Sequence, residues 1–507
     1  MNKTVLGISL GLALLGQPAP AGEREAIEAY VSQHQGRIFS ELVQLLSIPN
    51  VAADRPNIRR NAEHLRGMLE RRGLVAEILE TAGNPLVYGE KKIAGAARTI
   101  LFYIHYDGQP VDPPRWKQSS PFVPVLRSAR LEDGGKEMPI DSSLSRFQPE
   151  WRIYARSASD DKSPIVALCA ALDALKSGGR EPSSNIRVVL DGEEEAGSPS
   201  LTGAIERYRE RFQADVMLIL DGPMHPSGRP TLNFGARGSA VLELTVYGPK
   251  FPLHSGHYGN WVPNPAMRLA QLLASMKDDA GRVVVPGFYD GIPKLKPEEI
   301  RIQEGVPDDL EELKRFFGIA QPDAVGKNLQ EALQYPSLNI RGLRSAYVGD
   351  DARTIIPSDA TAAIDIRLVK ETPSEQIIEK VVAHIRKQGY HIVESEPDDQ
   401  IRLKHSKIMR ISRRKPTEAY RTEMNLPISQ AITKALERTW GTEPVRIRTS
   451  GGTIPISQFI RVLGFPAISV PMVNFDNNQH SENENLRLGH LWKGIVTMAS
   501  LLTMETK

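Results

Sequence analysis

The sequence predicts an α/β fold, a mainly parallel-sheet domain interrupted by an inserted α+β module. Three observations carry that expectation. Short, continuously apolar runs at residues 99–104, 186–190 and 216–220 alternate with helix-like segments, the rhythm of βαβ units. Between residues 235 and 423 the pattern becomes strict alternation, as in AVLELTVY at 240–247 and TAAIDIRL at 361–368, which suits half-exposed strands. Buried-strand character returns at 467–472. A chain of 507 residues is also too long for one ordinary core, since domains run to about 100–200 residues.

The elements follow in order. Residues 1–21 combine Lys3, an apolar run from Val5 to Leu15, and small residues Ala19-Pro20-Ala21 before Gly22. That is the pattern of a secretory signal peptide, so the expectation is an exported protein, periplasmic or secreted. The run is shorter than the about 20 residues of a membrane span, and no later run is long enough. The parts that follow are expected at 22–234, then the insert at 235–423, then 424–507. Helical spacing marks 23–47, 61–72, 164–176, 201–212, 265–276, 374–387 and 427–440. Residues 391–394 read as a further strand of the insert. Residues 127–150 and 278–335 are polar and read as excursions. Cys169, the single cysteine, lies in an apolar helical run and reads as a small buried side chain, leaving core packing to supply stability. The formal charge of +2, with no basic stripe, argues against a nucleic-acid partner.

Five strand-like runs end on or near a histidine or carboxylate: His105, Asp160-Asp161 after residues 151–154, Asp191 with Glu194-Glu195 beyond, Asp221, and His480 after 467–472. Parallel α/β sheets place ligand sites at the carboxyl ends of their strands, and such residue types in one cluster suit a metal. Each signal alone has a plainer reading. Asp160-Asp161 before a helix reads as a helix cap. Glu193-Glu194-Glu195 reads as a solvated loop, Asp221 as a turn residue, and His480, His254 and His257 as surface residues. His105 and Asp107, two apart on a strand, face the same way, so Asp107 is placed to orient the imidazole.

Order and spacing change the weighing. The chain carries His-x-Asp, then Asp-Asp-Lys, then Glu-Glu-x-Gly-Ser, then a strand-ending Asp, a His-Ser-Gly, and a late His. This series resembles the zinc aminoacylase and carboxypeptidase family, which includes carnosinase-like dipeptidases, acetylornithine deacetylase and succinyl-diaminopimelate desuccinylase. The segments IYARSASDDKS, DGEEEAGS, HSG and SGGTIP resemble the dipeptidase branch most. The resemblance implies a catalytic domain interrupted by a lid and dimerisation domain. It implies two divalent metal ions, zinc first, with cobalt or manganese as alternatives. Asp160 would bridge them, His105 and Asp221 completing one site and Glu195 and His480 the other. Glu194 matches the family's general base and His254 a histidine that reaches across a homodimer to the scissile carbonyl. Arg367 matches a substrate-carboxylate position, and Gly451, Gly452 and Thr453 resemble a substrate-binding loop.

The implied reaction is hydrolysis of the amide bond of a dipeptide or an N-acyl amino acid. An N-acyl amino acid deacylase and a non-catalytic metal-binding homologue are the alternatives; Glu194, an acid outside the ligand set, argues against the latter. Where the family carries Gly-Arg-Gly before the bridging Asp, this chain has Ala155-Arg156-Ser157, and Ser163 replaces the glycine after the Lys. Side chains at those positions restrict the backbone and are expected to tighten the pocket.

Overall fold

A computed structural model of the chain describes residues 22–141 and 146–505. The segment at 1–21, where a signal peptide is expected, lies outside the described residues. No described helix is long and apolar enough to cross a membrane.

Eight strands form the main sheet, and its centre is parallel. Asn185–Asp191, Thr99–His105, Val216–Ile219 and Ala467–Ser469 lie side by side in that order, all pointing the same way. Both edges depart from the expected parallel arrangement. Leu86–Lys91 and Val75–Leu79 add on as antiparallel strands at one side. At the other, Thr231–Asn233 runs antiparallel to Ala467–Ser469 and carries Val445–Ile447 beside it. The central runs are apolar on both faces because both faces are covered. One apolar cluster joins the helices Glu23–Leu46, Lys162–Ser177 and Leu488–Leu502 to one face; another joins Leu201, Ile205, Phe212 and Phe459 to the other.

A second, four-stranded antiparallel sheet corrects the reading of 151–154. Arg152–Tyr154 is not in the main sheet; it lies between Asn485–Arg487 and Val125–Arg127, with Glu137–Met138 at the edge. The expected excursion at 127–150 therefore begins as part of this sheet. A strand of three residues, Arg-Ile-Tyr, carries too little periodicity to say which sheet it joins.

The interrupting segment has its own five-stranded sheet, ordered Ser337–Arg344, Asp359–Leu368, Gly238–Tyr247, Ile408–Arg413, His391–Val393. Alternation works as expected: Ala360, Ala362, Ile364, Ile366 and Leu368 are buried beneath the helices Pro265–Ala274 and Ser374–Lys387, while Asp365 and Arg367 sit on the open face. The polar stretch 278–335 is not featureless. It forms the short helices Pro297–Glu304, Leu310–Phe317 and Leu329–Ala332. This excursion docks onto the main domain through Glu299 and Gln334, which accept from Arg448 at 2.8 and 2.6 Å, and Asp308, 3.1 Å from His225.

Candidate active site

His105 ends a central strand, directly beside Asp191 on the neighbouring one. Asp221 follows two residues after the next strand. Asp160 arrives from the small sheet, and so does His480, because Asn485 pairs with Tyr154. That pairing draws two loops more than 300 residues apart in sequence to the carboxyl edge of the main sheet.

The two oxygens of Asp160 face two histidines. Oδ1 lies 2.9 Å from His105 Nε2, and Oδ2 lies 3.1 Å from His480 Nε2. His480 Nε2 is also 3.4 Å from Glu195 Oε2. Two groups of donors have ligand atoms within 4.8 Å of one another: His105 with Asp160 and Glu195, and His105 with Asp161 and Asp221. Asp161 is the residue that the motif comparison left out. Neither Asp160 nor Asp161 caps the following helix: Asp161 stands at the N-cap position but its side chain makes no capping bond. Lys162 turns away, its Nζ donating at 2.9 Å to Leu45 O and Ile48 O at the end of the first helix.

The electrostatics describe crowded acids. Burial, then Asp160, pushes the Asp221 carboxyl up to about 6 and the Glu195 carboxyl up to about 7. Burial, then Asp221, holds Asp161 well above its usual range, and its Oδ1 is buried without a hydrogen-bond partner. Burial would raise Asp160 as well, but hydrogen bonds from His105 and His480 outweigh it and hold that carboxyl low. His480 is raised to about 9, chiefly by its bond to Asp160. Converging oxygens that repel one another, Asp161 Oδ1 among those without a hydrogen-bond partner, fit divalent cations, which favour the ionised form of every ligand.

Asp107 organises both halves of the site. Its Oδ1 is 3.3 Å from His105 Nδ1 and accepts the backbone N–H of Glu194 at 3.1 Å, while Oδ2 accepts that of Glu195 at 3.0 Å. The acid turn is therefore anchored rather than a free loop. Glu193 is buried and accepts from the backbone of Asn84 and Ser200; Gly197, at φ +82°, closes the turn in a conformation that suits glycine. Glu194 sits among these charges, its carboxyl held well above the ordinary range by burial. Asp191 accepts from Tyr103 and Ser198 and belongs to neither donor group, as a structural acid.

Sequence reasoning missed Glu484. It is fully buried, ion-paired with Arg156 at 2.8 Å, and accepts from the backbone N–H groups of Ser157, Ser159 and Asp160 at 2.9, 3.0 and 2.9 Å. The Glu sits four residues after His480, a spacing that would have pointed to it only if the two loops were known to meet. Ser157 has φ +61°, the left-handed region, which suits the glycine that the family resemblance implies there. Its hydroxyl takes a bond from Asn50 Nδ2 at 2.9 Å. Ala155, Ser157 and Ser163, which flank Asp160 in sequence, are all buried.

The substrate-side residues fall into two groups. Arg367 Nη1 donates to Thr453 Oγ1 at 2.8 Å, joining the inserted sheet to the loop that holds Gly451 and Gly452. His254 is exposed; its Nδ1 accepts from Gly256 N at 3.1 Å, and it has no described contact with the metal-site residues of the same chain.

The family model for peptidase family M20/M25/M40 matches residues 101–504. The chain belongs to the M20/M25/M40 peptidase family. Curated relatives of this M20-family chain include the Cys-Gly metallodipeptidase dug1 of Schizosaccharomyces pombe, 28% identical over 92% of this chain and 94% of that protein. The Beta-Ala-His dipeptidase of Homo sapiens is 27% identical over 82% and 76%. Among solved structures, the M20 family metallo-carboxypeptidase Sso-CP2 from Sulfolobus solfataricus superposes with a TM-score of 0.75 at 30% identity, covering 92% of this chain and 98% of that one. Human carnosine dipeptidase 1 shares the fold, with a TM-score of 0.73 at 24% identity over 96% and 99%. The M20-family chain is thus a peptidase with a site built for divalent cations, as the motif series implies.

Proposed function

We propose that this protein is a two-metal dipeptidase in which Asp160 would be the carboxylate shared by both ion sites. The observation that carries the reading is the split of the Asp160 carboxylate, with one oxygen toward His105 and the other toward His480. Asp221 shares a donor group with His105, and His480 lies 3.1 Å from Asp160 and 3.4 Å from Glu195, which supports their assignment to opposite sides. Asp161 joins the first group as a further candidate. Zinc suits this histidine and carboxylate set, and cobalt and manganese are the alternatives. The names of the metallodipeptidase relatives support dipeptides as substrates.

Bound divalent ions would supply Lewis-acid polarisation of the scissile carbonyl and a water acidic enough to ionise near neutral pH. Glu194 accepts the proton of the attacking water and delivers it to the leaving amine. Asp107 keeps the imidazole of His105 oriented and fixes the turn that presents Glu194. Arg367, steadied by Thr453, takes the substrate carboxylate, and Gly451 and Gly452 let the loop backbone approach it.

His254 stands outside this arrangement within one chain, which supports a homodimer whose partner subunit supplies that histidine to the oxyanion. The composition of residues 1–21 supports export. The test is a hydrolysis screen of the zinc-loaded protein with dipeptides beside N-acetyl- and N-succinyl-amino acids. Dipeptide turnover supports the reading; turnover confined to the N-acyl compounds replaces it with a deacylase.

A further inference from the structure

Resting on that hydrolase reading, we infer that the enzyme selects substrates whose C-terminal residue is large and apolar, its side chain entering a cavity in the inserted domain. The cavity, about 370 Å3, lies between the 278–335 excursion and the start of the edge strand Ser337–Arg344. Its volume matches the small end of ligand pockets, which begin near 300 Å3.

Two independent features mark it as a place for a ligand. The first is the helix Leu310–Phe317. Leu310, Leu313 and Phe317 fall at i, i+3 and i+7, and all three line the cavity. Such a stripe ordinarily buries itself against a core. Here no residue of the helix is buried, and Leu310 and Phe317 remain 52% and 59% exposed. The stripe faces a space left for an occupant. The second is Arg237 in the cavity wall, 7% exposed, with its Nε lacking any hydrogen-bond partner. One end of the guanidinium is used, Nη2 donating to Tyr335 O at 2.7 Å and Ser337 Oγ at 3.0 Å.

The cavity adjoins the substrate loop through two of its own walls. Arg237 N donates to Ser450 O at 3.2 Å. A Cβ placed on Gly451 would lie 3.4 Å from Leu333 Cδ2, and Leu333 lines the cavity. Arg367, bound to Thr453, is near enough that, after burial, it is the main cause lowering the Arg237 guanidinium to about 10. Two cations that repel one another share Asp365, which lies 3.2 Å from Arg367 Nε. Two of the three lysines lining the cavity are already engaged, Lys277 with Asp323 and Lys314 with Glu311. An incoming carboxylate would relieve the two arginines, and an apolar body attached to it would cover the stripe. A C-terminal residue such as Phe or Leu has both parts on one α-carbon.

The experiment compares kcat/KM of the zinc-loaded protein for Ala-Phe and Ala-Gly, and for N-acetyl-Phe and N-acetyl-Gly. Filling an apolar pocket is worth about tenfold or more in kcat/KM, so the Phe compound should win by at least about tenfold in whichever pair is cleaved. A ratio near or below one overturns the inference while leaving the hydrolase reading intact. If neither pair is cleaved, the hydrolase reading fails, and calorimetric binding of N-acetyl-Phe against N-acetyl-Gly decides the cavity: equal affinity overturns it. Ala332→Trp, which places an indole in the cavity, should bring the Phe-to-Gly ratio toward one, and an unchanged ratio would put the preference elsewhere.

Discussion

The carboxylate of Glu484 accepts the backbone N–H of Asp160 at 2.9 Å. With its bonds to Ser157, Ser159 and Arg156, it fixes the loop that aims Asp160 between the two histidines. Removing it would leave a buried guanidinium unpaired, at a cost of about 3–5 kcal/mol. Residues that orient metal ligands are typically worth about 10–100-fold in metal affinity. Glu484→Ala should therefore lower both Tm and metal affinity, measured by competition with a chelating dye. Glu484→Gln, which keeps an acceptor oxygen, should lose less. Wild-type affinity in Glu484→Ala would remove Glu484 from the account.

Glu194→Gln separates binding from chemistry. The side chain belongs to neither donor group, so the variant should retain metal. Loss of a general base costs about 10²–10⁴ in turnover, read as kcat on the best substrate of the screen. Retained kcat would exclude Glu194 as the base.

His254→Ala tests the proposed subunit crossing. An oxyanion donor is worth about 10²–10³ in kcat, and His254 is exposed, so the fold should stand unchanged by circular dichroism. Co-refolding His254→Ala with Glu194→Gln creates mixed dimers that hold one intact site, and activity should return toward about a quarter of wild type. A mixture as inactive as its parts would count against a histidine acting in the partner's site.

Acidity should couple metal to stability in one direction. Glu195 and Asp221 have carboxyls raised to about 7 and about 6, by burial first and Asp160 second. For a raised pKa, the stability contribution is complete below the ordinary carboxylate value and is lost as pH rises through the folded value. Divalent ions bind the ionised form and offset that loss. The rise in Tm on adding metal to chelator-treated protein should therefore grow between about pH 5.5 and about pH 8. A constant increment would mean that these carboxylates do not hold the metal.

Much of this site was legible from sequence because its donors end apolar strands or sit in short motifs. His105, Asp221 and the Glu194-Glu195 turn lie where a parallel sheet presents ligands, and neighbouring residues announce them. Glu484 and Arg237 were not legible. Their partners lie across long stretches of chain, with Glu484 324 residues from Asp160. Nothing local distinguishes a buried acid that holds a loop from an exposed one. Asp161 was hidden by its neighbour, since a pair of acids before a helix reads as a cap until the side chains are seen turning away. The place of the strand at 152–154 was not legible because three residues fit either sheet, and its pairing with Asn485–Arg487 explains how His480 reaches Asp160.

The most direct test of the two-metal account is a titration of chelator-treated protein with zinc, following dipeptide turnover against metal equivalents per chain. Turnover should be absent in the metal-free protein and reach its plateau at two equivalents. Full turnover without metal, or a plateau at one equivalent, would contradict the account.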